Sequence, residues 1–162
     1  MIYALMFSLC LGMGFYVWNR YRARKLFFAS VVAFCDHMAI EISFSRDTIQ
    51  RIIAKYGDSY TKHFRVVLQK YLSLIENKQD ITRERIMEIQ WTNLKANELT
   101  TITDLFYDLG RHGVFEEGKK IAGKRQIFDT FFNEAKEKFK TDASIYLKLF
   151  ILMGIGAVIL LL

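Results

Sequence analysis

Two apolar runs bracket a charged middle, and within that middle hydrophobic positions recur at helical spacing. Residues 2–18 read IYALMFSLCLGMGFYVW, 17 residues without a charge, and as a helix rising about 1.5 Å per residue they extend roughly 25 Å. That is close to the hydrocarbon thickness of a bilayer. Residues 149–162 read LFILMGIGAVILLL, 14 apolar residues or roughly 21 Å of helix. Ile145, Tyr146 and Leu147 extend this run to about 27 Å while Lys148 snorkels its ammonium back to the headgroups. Nothing basic precedes Ile2, and Asn19-Arg20-Tyr21-Arg22 follows the first run. A cleaved signal peptide has the opposite order, so the run reads as a retained anchor with Tyr16 and Trp18 in the interfacial aromatic belt.

Between the runs, Phe27, Val31, Phe34, Cys35, Met38 and Ile42 advance by three and four, the stripe of an amphipathic helix continuing out of the first anchor. Ser45 is suited to cap a second helix carrying Ile49, Ile52, Ile53 and Tyr56, with Gly57 closing it. A third is expected to open near Asp58 or Ser59, with Phe64, Val67, Leu68, Tyr71, Leu72 and Ile75 on one face. Asp80 or Thr82 can cap a fourth, which buries Ile86, Ile89 and Trp91. The fifth turns Leu99, Ile102, Leu105, Phe106 and Leu109 inward and stops at Gly110. A turn through Arg111, His112 and Gly113 leads to the sixth, whose positions Ile121, Phe128, Phe131, Phe132, Ala135 and Phe139 run without a breaker into the second anchor. The chain has no proline, which removes the residue that breaks helices. The expectation is an all-α protein: an antiparallel bundle of about six helices with one transmembrane helix at each end. The anchors span 1–19 and 145–162, and the bundle spans 20–144.

Charge changes this picture in one respect, by giving it an orientation. The formal net charge is +6, but Arg20, Arg22, Arg24 and Lys25 supply +4 of it, leaving 19 basic against 17 acidic residues over 26–162. A basic cluster directly after an apolar run is membrane topology rather than a nucleic-acid footprint, so no nucleic-acid partner is expected. Lys136, Lys138, Lys140 and Lys148 flank the second run on the same side, which places the charged middle in the cytoplasm and both termini across the membrane. Cys10 and Cys35 have neither metal-type spacing nor a disulfide framework and read as packed, reduced thiols.

Candidate chemistry is sparse. Gly118-Lys119-Lys120-Ile121-Ala122-Gly123-Lys124-Arg125 matches a P-loop until Arg125 stands where a Ser or Thr would hold magnesium, and no strand precedes it. It reads as solvated helix. His37, His63 and His112 are isolated from metal or nucleophile partners. Asp104 with Asp108, and Glu84 with Glu88, lie one turn apart and read as solvated faces. No enzyme, metal, cofactor or small-molecule substrate is expected. What remains is a helical domain held to a membrane at both ends, a geometry suited to a scaffold. Arg46, Arg51, Lys55, Arg83 and Arg85, on the expected second and fourth helices, together with Arg111 and His112 in the later turn, are candidates for docking an acidic partner surface.

Three short stretches resemble stage III sporulation protein AB of endospore-forming bacteria, with a likeness running over essentially the whole chain. Glu41-Ile42, followed by Phe44 and Ile49, resembles the family's Glu-Ile-aromatic signature. Leu109-Gly110-Arg111-His112 resembles its Leu-Gly turn, although Gly113 and Glu117-Gly118 stand where the family tends to have Asp and Gln. Residues 149–162, with Gly154 and Gly156, are similar to its closing anchor. The resemblance implies a cytoplasmic bundle like that of the type II secretion platform protein, in the mother-cell membrane around the forespore. It further implies a place in the channel complex between the two cells, with a secretion-type ATPase among the partners. The competing expectation is an inner-membrane platform of a type II secretion or type IV pilus system unrelated to sporulation.

Overall fold

The computed structural model describes residues 2–44, 49–77, 80–89, 91, 94–109 and 114–161. Every regular element among them is helical: α1 (Ile2–Phe44), α2 (Ile49–Tyr56), a 3₁₀ turn (Gly57–Ser59), α3 (Lys62–Glu76), α4 (Arg83–Met87), α5 (Ala96–Asp108), α6 (Val114–Lys138), a π-helical turn (Phe139–Ala143) and α7 (Ser144–Leu161). α1 runs from the first apolar stretch through the expected first helix of the middle, and α6 passes through the π turn into α7. Both continuities follow from the absence of any Pro or Gly signal to stop them. Ser45 and Gly110, expected as a cap and a stop, lie outside the described residues.

The chain divides into two compact units, one of residues 26–132 and the other of 1–25 with 133–162. In the first, the core is aromatic. Phe28, Phe34, Phe64, Tyr71, Phe106 and Phe128 are each fully buried. Phe34 of α1 stands edge-on to Phe64 of α3 at 5.7 Å and stacks on Phe106 of α5 at 6.0 Å. Phe28 meets Phe131 of α6 at 5.7 Å. Such pairs contribute about 0.5–1.5 kcal/mol each beyond the burial of their area. The Tyr71 hydroxyl donates to the Phe106 carbonyl at 2.9 Å, so the one polar tip in this cluster of rings is satisfied.

Two boundaries differ from expectation. α4 ends at Met87, short of Ile89 and the half-buried Trp91. α3 opens at Lys62 behind an extended Thr61, not at Asp58 or Ser59. The cause is Tyr60, whose extended backbone (φ −91°, ψ 157°) sends its ring into the core, 3% exposed and edge-on to Phe34 and Phe64. Thr61 is tied down in turn, its amide donating to the Ser30 hydroxyl at 3.0 Å. α4 begins as expected behind Thr82, whose hydroxyl accepts from the Arg85 amide.

In the second unit, the start of α1 and α7 lie side by side and antiparallel. A Cβ at Gly14 would stand 3.2 Å from Leu147 and Phe150, and one at Gly154 would stand 3.0 Å from Phe7 and 3.3 Å from Cys10. A side chain there would require these neighbours to give by a few tenths of an ångström, so glycine favours the close approach of the two helices, packing typical of helices in lipid. Among the described residues one helix, Glu116–Ile159, is long and apolar enough to cross a membrane, and only 11% of its most apolar stretch is buried. A core helix of a soluble protein would be covered. The other faces of the pair are apolar and open: Leu5, Leu9, Met13 and Phe15 on α1, and Leu149, Leu152, Met153 and Ile159 on α7.

Candidate functional site

α1 presents one carboxylate to the interior. Glu41, 3% exposed, accepts from Lys55 Nζ at 2.6 Å and from the Tyr56 hydroxyl at 2.7 Å, both through Oε1. α2 delivers both donors, because Ile52 and Ile53 bury one side of this short amphipathic helix and leave Lys55 and Tyr56 on its last turn. One turn before Glu41, His37 stacks on Tyr56 with ring centroids 3.9 Å apart and shares a hydrogen bond of 2.8 Å with the Tyr60 hydroxyl. The hydrogen bonds to Glu41 and Tyr56 raise the Lys55 pKa, so the ammonium stays charged. Burial raises that of Tyr60, so its phenol stays neutral. Five side chains from α1, α2 and the following turn thus form one hydrogen-bonded and stacked cluster, built to hold α2 against α1. No group in it is arranged as nucleophile and base.

The expected docking cations occupy varied settings. Arg51 and Arg85 are exposed on α2 and α4. Lys55 is 57% exposed yet bound to Glu41. Arg83 pairs with Asp104 of α5 at 3.0 Å and lies 4.8 Å from the centre of the Tyr107 ring. Arg46, Arg111 and His112 lie outside the described residues, as do Gly110 and the side chain of Phe44. Of the signature positions, Ile42 and Leu109 are buried in the core. An open cleft of about 230 Å³ runs between α2 and α3, lined by Ile53, Ala54, Gly57, Asp58, Arg65, Gln69 and Leu72. Arg65 bridges to Asp58 across it at 3.1 Å.

The P-loop-like stretch is helical throughout, on α6, with Gly118 and Gly123 in open space. A phosphate cradle needs amides released from helical hydrogen bonding, and an interior stretch of helix offers none. Among the described residues no group of three or more His, Cys, Asp or Glu could hold a metal. The Cys35 thiol is pushed up to about 12 by burial and by the neighbouring Asp36, which makes it a poor nucleophile.

Three features were invisible to sequence reasoning. Asp36 accepts from Arg125 Nε at 3.0 Å across 89 residues of chain. Glu98 is fully buried and caps α5 by accepting from the Lys95 amide at 2.8 Å, although Lys95 is not a residue that announces a helix start. His37 belongs to the Glu41 cluster because Tyr60 reaches it from beyond α2.

The basic residues next to the apolar runs gather where α1 and α7 exchange rings. Trp18 meets Phe139 at 5.5 Å, and Tyr21 stacks on Tyr146 at 6.3 Å. The Arg22 guanidinium lies 5.5 Å from the Trp18 ring centre, and Lys25 Nζ lies 4.5 Å from that of Phe139. Arg20 and Lys148 are exposed, and Arg24 is half-buried.

Against this all-helical, membrane-suited chain, the family described as Stage III sporulation protein AB (spore_III_AB) matches residues 1–162, the whole length. The chain belongs to that family. No curated protein and no solved structure matches it. Membership in the stage III sporulation protein AB family carries a role related to sporulation, and the family is not a known enzyme family. Glu41, the most buried polar residue of the stretches quoted for the resemblance, has a structural task in holding α2.

Proposed function

We propose that this member of the stage III sporulation protein AB family is a membrane scaffold of the channel between mother cell and forespore. Its cytoplasmic antiparallel bundle, held between two membrane spans, docks a secretion-type ATPase to the membrane complex. The observation that carries the reading is the pairing of α7 with the start of α1. Two apolar helices close-packed at Gly14 and Gly154, with apolar side chains on their outer faces, are stable only where lipid replaces water. The remaining 107 residues form a unit with its own aromatic core, large enough to offer a partner a rigid surface.

Docking needs no chemistry from the scaffold, only a fixed surface of complementary charge. α2 is the element suited to it. Its inner side is anchored by Ile52, Ile53 and the Glu41 bonds, while Arg51 is exposed on the same helix. An acidic patch on the ATPase would pair with Arg51 on α2 and Arg85 on α4. Surface charge of this kind chiefly sets association rate and orientation.

The test is co-purification of full-length protein in mild detergent from sporulating cells. The secretion-type ATPase is expected to be retained, and the double variant Arg51→Glu, Arg85→Glu is expected to lower its recovery roughly tenfold or more, since like charges facing across an interface cost several kcal/mol. Recovery of no ATPase with the wild-type chain would remove the docking role.

A further inference from the structure

Where the apolar surface of the helix pair ends, it ends on both helices at the same level. Within residues 1–25, the part of α1 in this unit, the exposed apolar side chains end at Tyr16, and the exposed Asn19, Arg20 and Arg22 follow. On the other strand of the pair they begin at Ile145, preceded by the exposed Lys140 and Thr141. The ring contacts Trp18 to Phe139 and Tyr21 to Tyr146 hold these two boundaries in register. Around them residues 19–25 and 133–148 carry eight Lys or Arg against three Asp or Glu, in a chain whose remainder is close to neutral. The π turn Phe139–Ala143 falls at this level too, burying Ala143 while Lys140 faces outward. A π turn interrupts regular helix at some energetic cost and is commonly kept where a site needs it.

From this we infer that the band around Trp18 and Phe139 is a binding surface for anionic phospholipid headgroups, with Arg22, Lys140 and Lys148 as phosphate-facing cations. The inference rests on the membrane part of the proposal above and is independent of the ATPase. The argument is one of charge complementarity and depth. A headgroup phosphate lies at the depth where apolar surface gives way to charge, which is the depth of this band. Arg22 is braced on the indole face of Trp18, which holds its guanidinium at that depth and spares the entropy of ordering it on the lipid. Lys148 stands one turn inside the apolar run and is exposed, so its ammonium reaches back along the helix toward the same plane. Zwitterionic headgroups carry their own cation and gain little from such a surface. Phosphatidylglycerol, with a bare phosphodiester charge, gains the full interaction.

Full-length protein reconstituted in vesicles of phosphatidylcholine with a minority of phosphatidylglycerol, then extracted in mild detergent, reports the preference through its retained phospholipid. Phosphatidylglycerol is expected to be enriched about fivefold or more over the bulk ratio, since a single basic residue near a membrane surface already contributes about a fivefold gain. The triple variant Arg22→Ala, Lys140→Ala, Lys148→Ala is expected to return the ratio to bulk. The charge-matched control Lys62→Ala, Lys70→Ala, Lys119→Ala, on exposed sites of the other unit, is expected to leave the enrichment intact. Equal retention of the two lipids, or equal loss in the control, would overturn the inference while leaving the anchors in place. Displacement of the lipid by inorganic phosphate would reassign the surface to free anions and equally overturn it. Failure of the wild-type chain to enter vesicles would overturn both this surface and the membrane scaffold.

Discussion

Glu41 is a carboxylate with almost no access to water, and a group in that position destabilises a fold unless its partners are in place. Here the Tyr56 hydroxyl and the Lys55 ammonium supply them. Lys55 keeps most of its hydration, so it adds less than its 2.6 Å distance suggests, and the buried phenol bond is the larger contribution. Glu41→Ala is expected to destabilise the protein by about 1–3 kcal/mol, the cost of leaving a buried donor unpaired. Glu41→Gln, which keeps an acceptor for Tyr56, should cost less. Thermal melts of the full-length protein in detergent order the two, and an unchanged melt for Glu41→Ala would mean that the cluster does not hold α2. At this scale the sequence was only partly legible. Glu41 stood out through a resemblance to a known signature, while its partners were not readable, because Lys55 sits 14 residues on, on a different helix. His37 looked isolated for the same reason. Its neighbours Tyr56 and Tyr60 are brought to it by the turn after α2, and no local periodicity encodes that.

The helices themselves were the most legible feature, since apolar stripes at three-four spacing in a chain without proline admit few other readings. The expected positions of α2 and α5 and the continuity of the last helix into the apolar run agree with the structure, while α4 starts behind Thr82 as expected but ends at Met87, short of Ile89 and Trp91. The start of α3 was misplaced because Gly57-Asp58-Ser59 carries the polar signature of a helix opening, whereas the burial of Tyr60 requires extended backbone there. The pairing of the two apolar runs was not readable at all. Each looked like an independent anchor, and the glycines that let them touch, Gly14 and Gly154, lie 140 positions apart. That pairing is testable by chemistry. A cysteine at 154 would place its Cβ 3.3 Å from that of Cys10, near the ~3.5–4.5 Å of a disulfide. Gly154→Cys is expected to form an intramolecular disulfide with Cys10 on mild oxidation in membranes, seen as a mobility shift that reduction reverses. Gly156→Cys, on an open face, is expected to give none. Absence of the bond at 154 would contradict the packing of α1 on α7.

At the scale of the whole molecule, two units with different surfaces share one chain. One has a buried aromatic core and a charged exterior, and the other exposes its apolar side chains and gathers cations at one end. Composition and charge placement led to anchors at 1–19 and 145–162 around a bundle at 20–144, whereas the compact units are 1–25 with 133–162 and 26–132; the family match covers the full length. The identity of the partner cannot be read from side chains, because docking by exposed Arg and Lys leaves no motif comparable to a catalytic constellation. What the scaffold account does require is a topology in which the polypeptide enters lipid twice and keeps its charged middle on one side. The most direct measurement fuses alkaline phosphatase after Leu162 and, separately, inserts the same reporter at residues 78–79, each assayed in intact cells. The account predicts activity for the fusion after Leu162, which lies across the membrane, and none for the insertion, which stays in the cytoplasm. An inactive, cytosolic reporter after Leu162, its integrity confirmed by activity after lysis under oxidising conditions, would contradict it.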